Sequence, residues 1–270
     1  MKIKIIISKK DEASLNIYNH LNYFYDDKYK SASIKKIENE SIYYENNTSA
    51  DLLIFASKHA SKQGQPAFCT HTSGNWGENQ LGGDKRSFST SSVFLLRETL
   101  LKLEKSASDT DYAVFQEVTH HGPTLDVPSL FIEIGSTYEE WIKEKNGKRI
   151  ADVIKELIDL LEPFETYADF EKDYRKQNPN AQVTLGIGGL HHTPNFKKHI
   201  ISGNIALGHC CAKYNLEDFD DETLNKAILA TAEKVDLILV DWKGVGKHKQ
   251  NISEILINKK IKWKKIKEIT

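Results

Sequence analysis

The sequence predicts a single α/β domain on a mixed, mostly parallel central sheet flanked by helices. Three observations carry that expectation. Short apolar runs recur along the 270-residue chain. Amphipathic helical patterns alternate with them, and no repeat or low-complexity linker interrupts the alternation. A chain of this length buries a sizeable core. Its 39% hydrophobic and 28% charged residues are ordinary for a globular protein and unlike those of a disordered one. No apolar run reaches the roughly 18 residues that span a bilayer, so no membrane partner is expected.

IKIIIS (3–8) reads as a buried strand, and DEASLNIYNHLNYF (11–24) as a helix with Asp11 near its start. SIKKIENESIYYE (33–45) alternates as a short hairpin would, with its turn at Glu38-Asn39-Glu40. DLLIFAS (51–57) is a second buried strand. The polar, glycine-rich stretch from Lys58 to Ser89 is longer than an ordinary connection, which marks it as functional. SSVFLLRETLLKLEKS (91–106) is an amphipathic helix, and YAVFQEV (112–118) and SLFIEIG (129–135) are buried strands. TYEEWIKEKNGKRIADVIKELIDLLE (137–162) forms one helix, or two broken at Asn146-Gly147, and the charged segment 137–180 is a candidate helical insertion. QVTLGI (182–187), NIALG (204–208) and VDLILV (235–240) complete the strands, with a helix over EDFDDETLNKAILATAEK (217–234).

The unusual residues fall at or beyond the carboxyl ends of these strands, where loops of open α/β sheets converge on ligands. SKHASKQGQPAFCTHTSGNWG, THHGPT, GGLHHTPNF and GHCCAKY single out six histidines: His71, His120, His121, His191, His192 and His209. Imidazole relays protons near neutrality and, when neutral, ligates zinc. All six are therefore candidate metal ligands, and His71, His120, His191 and His209 are candidates for general base. The spacing contains no HExxH or other tight local metal signature. Glu117 and Glu133 lie inside strands that otherwise read as core, where a carboxylate must be paired, metal-bound or neutralised. Glu117 is a candidate catalytic group and Glu133 a candidate ligand. Glu133 shares a strand face with Phe131, while Leu130, Ile132 and Ile134 take the other.

Gly188 and Gly189 permit close approach of backbone N–H groups to a ligand, and with Asn75 or Lys213 they are candidates for holding an oxyanion. No Walker A, GxGxxG or GxSxG pattern is present. Cys69 beside His71 reads as the end of a strand rather than a nucleophile. Three cysteines form no disulfide framework, which points to a reducing cytoplasm. From Lys243 onward nine lysines face two glutamates on a chain of formal net charge −1, a basic end suited to phosphates or simply a solvated tail.

Taken together, the motifs from Ser57 to Tyr214 resemble the archaeal and plant type of D-aminoacyl-tRNA deacylase. Four motifs in order carry the resemblance, with FIEIGSTYEEW close behind the second. One departure is Ser73, where relatives often carry proline. The resemblance implies a fold related to peptidyl-tRNA hydrolases and phosphorylases. It implies hydrolysis of the ester joining a D-amino acid to the terminal ribose of tRNA, with zinc as cofactor at two ions per chain. On this reading Trp76 or Tyr214 stacks on the terminal adenine, Lys213 and the C-terminal lysines meet acceptor-end phosphates, and the chain acts as a monomer. Two rival readings remain: a metal-dependent amidase or nucleoside phosphorylase-like enzyme acting on a small molecule, and an RNA-binding protein stabilised by structural zinc.

Overall fold

The computed structural model describes residues 1–21, 29–45 and 49–269. Strand β1 (Ile3–Ser8) is flanked on one side by β2 (Ala32–Ile37) and on the other by β3 (Leu52–Ala60), both parallel to it. The segment 33–45 is therefore not a hairpin. Its first half pairs with β1 and its second half closes in a 3₁₀ turn over Ser41–Tyr43. Helix α1 (Glu12–Asn19) is capped by Asp11, whose carboxylate accepts from the Ser14 amide, and residues 22–24 of the expected helix lie outside the described residues.

The mixed character of the first sheet arises from β4 (Ala67–His71), which runs antiparallel to β8 (Ser129–Ser136). β7 (Ala113–Gln116) then pairs parallel with β4, and the order is β2-β1-β3-β8-β4-β7. A hairpin of β5 (Gly74–Asn75) and β6 (Ser87–Phe88) follows β4. The remaining strands form a second, all-parallel sheet in the order β10-β9-β11-β12: β9 (Gln182–Ile187), β10 (Ile205–Cys211), β11 (Leu237–Val240) and β12 (Lys262–Lys265). Segment 117–119 stitches the sheets together. The Glu117 amide donates to Thr70, that of Val118 to His191, and that of Thr119 to Cys210.

Helices cover one face of the first sheet. Ile5, Ile7, Ile54, Ala56, Phe68, Ile132 and Ile134 join a continuous core with residues of α2 (Val93–Ser106) and α4 (Glu144–Leu161). In α4 the residues Ile150, Ile154, Leu157, Ile158 and Leu161 recur at helical spacing on the buried stripe. This segment thus packs in the main core rather than standing apart as an insertion. The break in 137–162 falls at Ile142-Lys143, between α3 (Tyr138–Trp141) and α4, and not at Asn146-Gly147. Gly147 is inside α4, where a Cβ would lie 2.2 Å from Asn16 Oδ1 of α1, so the glycine permits the close approach of the two helices. α5 (Tyr167–Gln177) begins with a capping box at Thr166 and Asp169.

Three further helices complete the chain: α6 (Pro194–Ile201), α7 (Asp221–Leu229) and α8 (Lys249–Ile257). The helix expected over 217–234 is confined to α7 by its cap at Asp220. The lysine-rich end is folded rather than a solvated tail. It supplies α8 and the edge strand β12, and Trp263 packs on Trp242 at 6.3 Å between ring centroids. Among the described residues, no helix is long and apolar enough to cross a membrane.

Candidate active site

Strand alternation decides which side chains meet. On the face of the first sheet that carries no helices, β3 presents Phe55, Ser57 and His59, β8 presents Phe131 and Glu133, and β4 presents Cys69 and His71. The register aligns Ser57, Glu133 and Cys69 in one row across three strands. Sequence reading that ends the strand at Ser57 misses His59. Carrying the period of two through Lys58 would have placed it beside Glu133. The antiparallel course of β4 and β7 also moves the site inward. It spreads over the sheet face rather than along a common carboxyl edge.

Glu117 and Glu133 are both buried. A carboxylate in that position must be compensated, since an isolated buried charge costs several kcal/mol. Glu133 accepts from the Ser57 hydroxyl at 2.6 Å and from the Cys69 thiol at 3.4 Å, and His71 Nε2 stands 3.7 Å away. Glu117 Oε1 lies 2.7 Å from His191 Nε2, 3.2 Å from His59 Nδ1 and 3.8 Å from His192 Nε2. Burial pushes both carboxyls up, but the imidazoles outweigh it. His191, His59 and His120 hold Glu117 well below the usual carboxylate range, and His71 and His59 lower Glu133. Burial, with the same carboxylates, pushes the Cys69 thiol well up, so without a cation beside it the thiol stays protonated and is no nucleophile.

The rings of five of the six expected histidines gather. Centroids of His71 and His120 are 4.3 Å apart, those of His71 and His121 4.8 Å, those of His120 and His191 4.7 Å, and those of His191 and His192 5.3 Å. His192 stacks on Phe115 at 3.9 Å. His71, His120 and His121 each turn Nδ1 to a backbone carbonyl, of Thr72, Val118 and Gly122 respectively. That contact fixes the proton on Nδ1 and turns each Nε2 inward. Burial pushes His71 down, but the Glu133 carboxylate outweighs it and raises His71. Burial and neighbouring imidazoles push His120 well below the usual histidine range and His121 down to about 4, which keeps both neutral.

This donor set fits a metal. Ligand atoms of His71, His120 and His121 lie within 4.8 Å of one another, as do those of Glu117, His120 and His191, and those of His59, Cys69, Glu117 and Glu133. His71 Nε2 and His59 Nε2 are buried with no hydrogen-bond partner among the described residues, although carboxylates stand nearby. Inward lone pairs oriented by carbonyls are what a cation such as zinc takes up.

Several expected site residues are placed elsewhere. His209 is buried apart from the cluster, with Nδ1 on the Thr119 hydroxyl at 3.2 Å and Nε2 on the Ala230 carbonyl at 2.9 Å. With both ring nitrogens occupied it is a structural residue. Asn75 spends its amide N–H groups on the carbonyls of Gly82 and Asp84, which pins the loop and leaves none for an oxyanion. Trp76 is buried against Phe88 and Phe219 with its indole N–H on Cys210, and presents little of its ring to the cavity it helps to wall. Gly188 and Gly189 have φ of +87° and +89°, and the Gly188 amide donates to Cys211. They shape a turn under Asp241 and Val245, and of the two amides that of Gly188 is already taken. Lys213 is exposed beside that turn, its amide on the Gly189 carbonyl. Tyr214 is half exposed, with its hydroxyl 2.7 Å from His191 Nδ1. A cavity of about 370 Å³ opens over the cluster, walled by Gly74–Gly77, Thr119, His120, His121, Tyr214, Asn215 and Asp218.

A family model described as D-aminoacyl-tRNA deacylase matches residues 46–264. The chain belongs to this family. A D-aminoacyl-tRNA deacylase of Pyrococcus horikoshii is 37% identical over 90% of this chain and 92% of its own. One from Thermococcus kodakarensis is 41% identical over 72% of this chain and 65% of its own. A solved conserved protein of unknown function superposes with a TM-score of 0.83 at 26% identity, covering 99% of this chain and 96% of its own. The deacylase match spans every strand of the gathered site, from β3 through β10.

Proposed function

We propose that the chain hydrolyses the ester between a D-amino acid and the terminal ribose of tRNA, releasing free tRNA and the D-amino acid. Such hydrolysis proofreads chirality in translation. One observation carries the reading: in a chain of this family, inward-facing imidazoles and a buried ionised carboxylate converge beneath one open cavity. Neither rival is favoured. A small-molecule amidase or phosphorylase would need no tRNA, and a structural zinc would close its site with four ligands, whereas this cluster opens at His120 and His121.

The aminoacyl end enters the cavity beside Tyr214, and Glu117 is placed to accept the proton of the attacking water. The resemblance implies two zinc ions. His71, His120 and His121 would hold one, and His59, Cys69 as its thiolate and Glu133 the other, which leaves Glu117 free as the base. When bound, zinc would acidify a water and polarise the ester carbonyl. Selectivity would come from the cavity wall colliding with the side chain of the L-isomer.

All strands of the second sheet are parallel, so their carboxyl ends share one edge. His191 follows β9 there, and the exposed Lys213, Lys243 and Lys267 follow β10, β11 and β12. These lysines form the acceptor-stem contact in this reading. The chain acts as a cytoplasmic monomer, a placement supported by its translational substrate and by three buried free cysteines.

The deciding experiment compares matched D- and L-aminoacyl-tRNA, with and without chelator, on purified protein and on His120→Ala and His191→Ala. Hydrolysis of the D-ester alone, lost in both variants, is expected. Equal hydrolysis of both isomers, or full activity in both variants, would remove the proposal.

A further inference from the structure

His71, His120 and His121 are each oriented by a backbone carbonyl at Nδ1. His191 differs from these three, because its Nδ1 partner is a side chain. The Tyr214 hydroxyl lies 2.7 Å from His191 Nδ1, and the two ring planes are within 22° of parallel. On the far side of the same imidazole, Nε2 stands 2.7 Å from the buried Glu117 carboxylate. The backbone places both partners. Lys213 donates its amide to the Gly189 carbonyl, which sets the 3₁₀ turn carrying Tyr214 beside the loop that carries His191. An imidazole on an exposed loop turns freely about χ2 unless one nitrogen is held. His191 is about one-third exposed, so packing alone does not hold it.

We propose that Tyr214 is a positioning residue of the hydrolytic site, and that its hydroxyl holds His191 with Nε2 directed at Glu117. This deepens the deacylase reading and rests on it. Tyr214 does for His191 what three carbonyls do for its neighbours, with one difference. A carbonyl is fixed by the fold, whereas Tyr214 is 54% exposed and forms part of the cavity wall. The aminoacyl end therefore touches the group that orients His191. The phenol's contribution lies in its hydroxyl and not in its ring, which separates this role from stacking on a base.

The test uses the full chain with Tyr214→Phe and Tyr214→Leu. Tyr214→Phe is expected to lower kcat roughly tenfold, the effect of one lost hydrogen bond of ordinary strength, with KM within twofold of wild type. Tyr214→Leu should lower kcat equally. In ¹⁵N-histidine NMR of metal-free protein, Tyr214→Phe should move the His191 ring resonances and leave those of His71, His120 and His121 in place. Wild-type kcat in Tyr214→Phe, with a raised KM confined to Tyr214→Leu, would assign the ring to stacking and overturn the proposal. Unmoved His191 resonances would overturn it as well. The NMR arm needs no substrate, so a failure of the deacylase reading itself, seen as an inactive wild type, stays distinguishable from a failure of this one.

Discussion

The Ser57 hydroxyl donates to Glu133 Oε1 at 2.6 Å across the parallel pair β3–β8, and both side chains are buried. A charge-assisted hydrogen bond in such surroundings contributes about 2 kcal/mol. Ser57→Ala should lower unfolding stability by that amount in urea titrations, and the loss should shrink when Glu133 is already glutamine. Equal losses in both backgrounds would show that the two side chains are not coupled.

His209 sets a pH dependence of definite sign. Burial pushes its folded-state value down to about 4 from the ordinary 6.5. Between those values the unfolded chain binds the extra proton, so the stability is fully present above pH 6.5 and is lost as pH falls towards 4. The contribution is about 3 kcal/mol. His209→Gln should flatten the stability profile between pH 7 and 4 relative to wild type. Parallel profiles would contradict this assignment.

Zinc binding is checked by thermal shift rather than by turnover. Zinc at a thousandfold excess over its Kd should stabilise the chelator-treated protein by about 4 kcal/mol, or roughly 10 °C. His71→Ala should lose most of that shift, since His71 Nε2 is buried with no hydrogen-bond partner among the described residues. A full shift in the variant would exclude His71 as a ligand.

The lysines at the edge of the second sheet are tested singly. Lys213→Ala and Lys243→Ala should each raise KM and make log kcat/KM less steep against log salt by about 0.7 to 0.9, the value of one phosphate contact. Truncation after Asn258 is a poor substitute, because it removes β12, whose Trp263 packs against Trp242. Such a deletion is expected to lower Tm in addition to any effect on binding.

Much of the site is legible along the chain because local pattern carries it. The period of two separates Phe131 and Glu133 from Leu130, Ile132 and Ile134, and the structure buries the second set in the helix-covered core. Two adjacent histidines after a strand are equally visible. What escaped was anything that depends on long-range pairing. The extension of β3 to His59, the antiparallel turn of β4 and the pairing of 33–37 with β1 are decided by partners far away in sequence. Burial misled at Trp76 and Asn75, whose residue types suit ligand contact but whose polar groups are spent inside the protein.

The sequence by itself determined the α/β class, the strand faces, the chemistry of the donors and the family, because alternation and motif order are properties of a linear chain. The tertiary structure decided which imidazoles share a cavity. A ring's neighbours are set by sheet register and by partners far along the chain, even where the carbonyl that orients it, as for His71, His120 and His121, is only one or two residues away. That is why His209 ends in the core while His59 joins Glu117.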